Sequence, residues 1–167
     1  MSYVENRLRE VKEFLGRVYY NTRFNFDHPG TRITISFERP NHTPAPDSSV
    51  NLPESLEVLG PEPGTNFTRQ DDITVSWRPP GPTGIGFEGT CHNGKSVSFR
   101  KNYVGNPGPE TYSATYLLSG IANLDPYAVC TTKITLVRST TGMLSGQYKG
   151  GAITARREAS VSVNIAP

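Results

Sequence analysis

The sequence predicts a mainly β protein with the architecture of a sandwich or barrel. Beyond residue 64, runs of alternating apolar and polar residues recur about every ten residues, separated by turns rich in Gly and Pro. The 16 Gly and 14 Pro among the 167 residues fit this punctuation. With 35% hydrophobic and 19% charged residues, the chain has an ordinary globular composition that can bury a core without metals or many disulfides.

The strands predicted in this part of the chain follow the alternation closely. They are residues 72–78, 84–92, 96–103, 111–120, 127–138, 152–155 and 159–165. The dipeptide Asn93-Gly94 favours a type I′ turn, because both central positions of that turn need positive φ. Residues 84–103 are therefore predicted to form a hairpin.

Residues 1–39 predict an N-terminal amphipathic helix followed by a hairpin, both packed on the sandwich. Aliphatic residues at alternating spacings of four and three predict the helix over residues 3–19: Val4, Leu8, Val11, Leu15 and Val18. Aromatic and β-branched residues between 18 and 37, on both sides of the turn signal at residues 27–30, predict two strands that pair with each other.

Residues 40–64 form an acidic, Pro-rich connector. Its prolines exclude a helix and favour extended chain. Two interpretations stay open. The connector is either a free linker, or it lays one irregular strand against the core through its apolar residues, Leu52, Leu56, Val58 and Leu59. The sandwich itself is assigned to residues 65–167.

Two segments resemble a known family. The segment DDITVSWRPPGP, residues 71–82, resembles the second strand of a fibronectin type III domain, and ATYLLSGIANLDPYAV, residues 114–129, looks like the late hairpin of that fold. The resemblance covers residues 64–138 and implies an immunoglobulin-like or fibronectin III-like antiparallel β-sandwich. It implies that Trp77 is the core tryptophan and that Tyr127 is the corner tyrosine, with a buried ring and a hydroxyl bonded to backbone.

The same resemblance places Cys91 and Cys130 in the third and sixth strands, which are neighbours in one sheet. If Tyr127 and Val129 face inward, strand alternation sends Cys130 outward, so a disulfide requires a bulge. A disulfide and two buried free thiols both stay open at this point.

The sequence holds no motif that indicates an enzyme, and we expect no enzymatic activity and no cofactor. The nucleophile-elbow, zincin, dinucleotide and P-loop motifs are absent, and the three histidines lack metal-ligand spacing. The net charge is only +2 and the basic residues are scattered, which argues against specific nucleic-acid binding. No apolar run approaches the ~18 residues of a transmembrane segment.

The function that we expect is a non-enzymatic, extracytoplasmic binding or adhesion module that presents loops or an edge strand to a protein or an anionic glycan. The expected site is the segment 98–112, where Arg100, Lys101 and Tyr103 combine cations and an aromatic ring beside a Gly/Pro-rich loop. The alternative for this segment is an ordinary solvated edge strand. The alternative function is a structural subunit that forms a homo-oligomer through its N-terminal helix or hairpin. The start of the chain has no secretory signal, so the extracytoplasmic location rests on the cysteine pair.

Overall fold

The computed structural model describes residues 9–12, 18–21, 28–37, 43–93, 95–105, 108–119, 121, 124–148 and 151–167. These residues are mainly β, as predicted. The strands are β1 (Arg9–Lys12), β2 (Val18–Asn21), β3 (Arg32–Phe37), β4 (Ala45–Asn51), β5 (Glu57–Gly60), β6 (Asn66–Thr68), β7 (Asp72–Arg78), β8 (Thr83–Asn93), β9 (Lys95–Gly105), β10 (Glu110–Ser113), β11 (Val129–Thr141) and β12 (Thr154–Ala166). One short helix, α1 (Ala114–Leu118), lies among them.

Two sheets contribute to the core. One has three strands in the order β10-β7-β5, and the other has five in the order β6-β12-β11-β8-β9. Their pairings are antiparallel, apart from the parallel pair of β6 and β12. Every second residue of β7 is buried, and these side chains join those of β8, β11 and β12 in one hydrophobic cluster. Trp77 is 6% exposed in this cluster, which confirms its predicted burial.

Strand alternation predicted most of these elements. Residues 72–78 form a strand with the predicted bounds, and β8 and β9 form the predicted hairpin. The register pairs Asn93 with Lys95, so the prediction that Asn93 is a central residue of a type I′ turn is wrong. The strand predicted for residues 111–120 is wrong beyond Ser113, because the chain turns there into α1. That helix buries Ala114, Leu117 and Leu118, which have the three- and four-residue spacing of one helix face. The two strands predicted at the end of the chain are one continuous strand, β12.

The N-terminal helix is not found in the described residues. Arg9–Lys12 and Val18–Asn21 are strands that pair with each other, with Val11 opposite Tyr19. Residues 18–21 are β-branched or aromatic at three of four positions, and such residues favour extended chain over helix. The rest of the predicted helix, residues 3–8 and 13–17, lies outside the described residues.

The hairpin predicted between residues 18 and 37 has a different pairing from the one expected. The turn at residues 28–31 is present, with Thr31 Oγ1 donating to the carbonyl of His28 at 2.7 Å. However, β3 pairs with β4 on its C-terminal side, and β2 pairs with β1. β2 therefore pairs with the strand before it, and β3 with the strand after it.

The Pro-rich connector is not a free linker, because it contains β4 and β5. β4 is fastened to the segment after β11 by two backbone hydrogen bonds of 2.8 Å between Ser49 and Met143. β5 pairs with β7 through a register shift between Val58 and Gly60. Val58 packs partly buried against the core, while Leu59 is 51% exposed. β5 therefore matches the second interpretation, an irregular strand laid against the core.

Candidate binding face

A disulfide links β11, the central strand of the five-stranded sheet, to its neighbour β8. Cys91 in β8 and Cys130 in β11 are directly opposite in the register and are bonded to each other. The register runs without a shift from the pair Val129–His92 to the pair Val137–Gly84, so the predicted bulge is wrong. The disulfide itself is one of the two alternatives that the sequence left open.

The predicted burial of Tyr127 is also wrong. Its side chain is 77% exposed and Val129 is 44% exposed, whereas Ala128 and Cys130 are buried at 2% and 0%. The alternation of this segment is therefore opposite to the one expected. Since Cys130 faces the core, strand geometry turns Val129 toward solvent, and exposure continues at Tyr127. Tyr127 cannot be a corner tyrosine with a buried ring.

The turn that carries Tyr127 is held in place by hydrogen bonds. The Arg69 guanidinium donates from Nη2 to the carbonyls of Asp125 and Ala128, both at 2.8 Å. The backbone N–H of Tyr127 donates to Asp125 Oδ1 at 2.7 Å, and that of Ala128 donates to the Asp125 carbonyl at 3.1 Å. The turn is thus fixed from both sides, while the Tyr127 ring stays in solvent.

The solvent side of β8, β11 and β12 carries polar side chains that alternate with the core residues. We call this surface the polar face and define it by Glu88, Thr90, His92, Thr131, Lys133 and Ser162. These residues, together with Gly89, line an open depression of about 440 Å³. Thr90, Thr131 and Ser162 are short, and the longer Glu88, His92 and Lys133 rise beside them. The depression therefore presents hydroxyls, an imidazole, one carboxylate and one ammonium group.

Polar residues of the polar face and of the neighbouring strands form two rows that run across the sheet. The first row runs Asn66, Asn164, Thr131, Thr90 in successive strands. In it Asn164 Nδ2 donates to Asn66 Oδ1 at 3.0 Å, and Thr131 Oγ1 donates to Asn164 Oδ1 at 3.4 Å. This row offers amides and hydroxyls whose positions are set by their neighbours.

The second row contains the charges. It runs Ser162, Lys133, Glu88, Arg100 across four strands. Lys133 and Glu88 lie directly opposite each other, a pairing of opposite charges that favours the register. In register terms, the row places a cationic residue on each side of one carboxylate.

The register divides the predicted site in β9. Arg100 lies opposite the exposed Glu88, whereas Lys101 lies opposite Phe87 and Tyr103 opposite Ile85, and these two partners are buried in the core. The side chains of residues 93–107 lie outside the described residues. Only Arg100 is thus brought into register with the polar face. A common site for the three residues stays a prediction.

Sequence reasoning missed the polar face itself, although a signal for it exists. Lys133 has the same parity along the strand as Tyr127, Val129 and Thr131, and Ile134 has that of Cys130. A lysine in the middle of a strand favours the solvent side. This parity would have predicted that Tyr127 is exposed and that Thr131 and Lys133 lie on the same surface.

The described part of the chain contains no candidate metal site and no candidate membrane-spanning helix. No group of three or more His, Cys, Asp or Glu residues there could hold a metal ion, and no helix in it is long and apolar enough to cross a membrane. The pKa of Arg78 is raised by its hydrogen bond and by its Coulombic attraction to Glu57, on the other sheet and away from the polar face. In comparisons with known proteins, no family model, no curated protein and no solved structure matches the chain.

Proposed function

We propose that the chain is a non-enzymatic, extracytoplasmic binding module whose polar face holds an anionic glycan. The observation that carries this proposal is the open depression between β8, β11 and β12, which is lined by hydroxyls and by the opposed charges of Lys133 and Glu88. Such a surface suits a ligand that is itself rich in hydroxyls. It does not suit an apolar ligand, whose sites are lined mainly by hydrophobic side chains.

We propose that the scaffold of this module is an immunoglobulin-like or fibronectin III-like sandwich. The strand order supports this assignment, because β7 lies between β5 and β10 in one sheet, while β9, β8, β11 and β12 are consecutive in the other. This is the order of the A-B-E and C′-C-F-G sheets of that architecture. The shared hydrophobic cluster is further support, since it draws side chains from both sheets.

The ligand chemistry follows from the charges. Lys133 provides an ammonium group that a carboxylate or sulfate can approach. The hydroxyl of Ser162 can donate to and accept from sugar hydroxyls, and that of Thr131, whose proton is donated to Asn164 Oδ1, can accept from them. Glu88 adds a carboxylate that accepts hydrogen bonds from sugar hydroxyls. It lies directly opposite Lys133 in the register.

The disulfide supports the proposed compartment. Cys91 and Cys130 are 1% and 0% exposed and are bonded across the centre of a sheet. Structural disulfides form and persist in oxidising compartments such as the periplasm and the extracellular space. A thiol count on denatured, non-reduced protein purified from its source tests this directly. Two free thiols would contradict the proposed location.

The test of ligand binding compares two variants that remove the same charge from different sheets. Lys133→Gln changes the polar face, and Arg78→Gln changes an exposed position on β7. Each is measured by calorimetry against an oligogalacturonate, a sulfated chondroitin oligosaccharide and neutral maltotetraose. We expect one or both anionic probes to bind, and Lys133→Gln to weaken that binding about 3- to 10-fold, a loss typical of one hydrogen bond.

Arg78→Gln controls for net charge. It should leave the affinity for both anionic probes within about twofold of the original protein, because a local contact requires the charge at one position only. Equal losses for the two variants would mean nonspecific attraction to the whole protein. That result, or the absence of binding to any probe, would contradict the proposed function.

A second candidate function, an assembly subunit, is favoured by one observation at the N-terminal end. Within the residues that the structure describes, β1 and β2 pair only with each other. A two-stranded hairpin alone has marginal stability in water, so it gains from packing on another surface. Self-association through this hairpin would supply that surface. The molar mass in dilute solution tests it, and a strict monomer at micromolar concentration would contradict assembly.

A further inference from the structure

We infer that Tyr127 is an aromatic subsite of the polar face and that a pyranose ring of the glycan stacks on it. This inference rests on the proposed function and adds to it the position and orientation of the ligand. It assigns a binding role to the side chain whose exposure, 77%, contradicts a place in the core.

The first argument concerns the conformational entropy that Tyr127 would lose when a ligand binds. An exposed tyrosine on a loose loop would lose conformational freedom on binding, which weakens affinity. Tyr127 instead lies in a turn held by two hydrogen bonds from Arg69 and one to the carboxylate of Asp125. The neighbouring Ala128 is 2% exposed and anchors the chain in the core. The backbone below the ring is therefore already ordered before a ligand arrives.

The second argument is alignment. Exposure alternates with burial from Tyr127 through Val129 and Thr131 to Lys133. Val129 and Lys133 are about 13 Å apart, because residues two apart along a strand are separated by about 6.6 Å. Tyr127 lies in the turn two residues before Val129, so it and Lys133 are at the two ends of this stretch. The hydroxyl row that includes Thr131 lies between them. One extended ligand of a few sugar rings can thus reach both ends.

The third argument is electrostatic. The C–H groups on the apolar side of a pyranose carry partial positive charge, and the face of an aromatic ring is negative, so the two surfaces attract. The Tyr127 end holds both the Asp125 carboxylate and the Arg69 guanidinium, whose charges offset each other, whereas the ammonium of Lys133 lies at the other end. An acidic group of the ligand is therefore attracted to the Lys133 end. The ring that stacks is a part of the glycan without a negative charge nearby.

The test uses three substitutions at Tyr127 and the same anionic probes. Tyr127→Ala removes the ring, and Tyr127→Phe keeps it. We expect Tyr127→Ala to weaken binding of the galacturonate or chondroitin sulfate probe about 3- to 10-fold, and Tyr127→Phe to stay within about twofold, because the aromatic face carries the interaction. The unfolding midpoint should be unchanged in both variants, since the side chain is mostly in solvent. The two probes distinguish a carboxylate from a sulfate as the acidic group.

The third substitution, Tyr127→Trp, gives a direct readout of stacking. The natural chain has one tryptophan, Trp77, which is buried, so the added emission comes from the surface. Saturation with the probe should shift that added emission to shorter wavelength or quench it, as the indole leaves water. Lys133→Gln in the same background should require more probe for the same change.

The outcomes separate this inference from the proposed function. Binding that Lys133→Gln weakens but Tyr127→Ala leaves intact overturns the aromatic subsite alone. A natural protein that binds no glycan, with unchanged emission of Tyr127→Trp, overturns both. A third outcome is that the protein binds a protein partner and no glycan, and that Tyr127→Ala abolishes this binding. Tyr127 would then be a protein-contact residue, which also overturns the inference.

Discussion

Thr132 and Thr83 allow one substitution to be made at two buried sites with opposite expected effects. Thr132 in β11 is 0% exposed, and its Oγ1 has no hydrogen-bond partner. Its hydroxyl therefore loses hydration on folding without compensation, at a cost of about 1–3 kcal/mol. Valine has nearly the same shape and equally favours a strand. We expect Thr132→Val to stabilise the fold by about 1–2 kcal/mol, which raises Tm by roughly 2–8 °C for a chain of this size.

Thr83 is buried to almost the same degree, but its hydroxyl both donates and accepts a hydrogen bond. It is 2% exposed, its Oγ1 donates to the Gly81 carbonyl at 2.9 Å, and it accepts from Arg138 Nη2 at 3.1 Å. Thr83→Val removes both of these part-buried hydrogen bonds, and hydrogen bonds to charged groups contribute about 1.5–3 kcal/mol. The two valine variants should therefore differ by about 2.5–5 kcal/mol in unfolding free energy, with opposite signs.

The assay is urea denaturation followed by the emission of Trp77, which is the chain's single tryptophan and is 6% exposed. Comparable m-values in the three proteins would show that the same cooperative transition is measured. If Thr132→Val destabilises the protein, or if Thr83→Val has no effect, then satisfied hydrogen bonding does not distinguish the two sites. The reasoning from these contacts would then be refuted.

Two further predictions test the disulfide and the contact between the β3–β4 hairpin and the segment after β11. Replacing both Cys91 and Cys130 by Ala should lower unfolding free energy by about 4 kcal/mol from loop entropy alone, given their 39-residue separation, and a loss under 1 kcal/mol in urea would contradict this. A Cβ at Gly142 would overlap the carbonyl oxygen of Ser49, so Gly142→Ala should release β4 and speed proteolysis there. Gly146→Ala is the matched control, since no atom lies within 4 Å of its added Cβ, and equal proteolysis of the two would contradict the close contact.

Strict alternation and strong turn signals made much of the β structure predictable. Residues 72–78 alternate without interruption, and Asn93-Gly94 admits one simple hairpin. The N-terminal segment was harder, because Val11 and Val18 fit a helical stripe and also suit strands. Strand pairing decides such a case, and pairing is non-local. The sequence alone could not show that β3 pairs with β4 instead of the strand before it.

The face of β11 was predictable from the sequence, but the resemblance led to the wrong choice. Assigning Tyr127 to the core fixed the parity of the whole strand, and this placed Cys130 outside and made a bulge necessary. Lys133 and Ile134 carried the opposite and correct signal. The site in β9 could be predicted only in part, because the sequence does not give the register that aligns Arg100 with Glu88.

The corrected parity of β11 separates stability from binding along a single strand. Cys130, Thr132 and Ile134 face the core, and each is 0% exposed. Thr131 and Lys133 lie between them on the polar face. Substitutions at the even positions should therefore change the unfolding free energy. Exposed surface positions usually change it by less than about 0.5 kcal/mol.

This separation gives the polar face a test that uses the urea midpoint in place of a direct binding assay. Lys133→Gln should leave the urea midpoint nearly unchanged, whereas the adjacent Thr132→Val should shift it upward. A glycan that binds the polar face should raise the midpoint of the original protein more than that of Lys133→Gln, because only the folded state binds. If Lys133→Gln itself lowers the midpoint as much as a core substitution, then Lys133 has a structural role. Weaker glycan binding by this variant would then not show that the glycan binds the polar face.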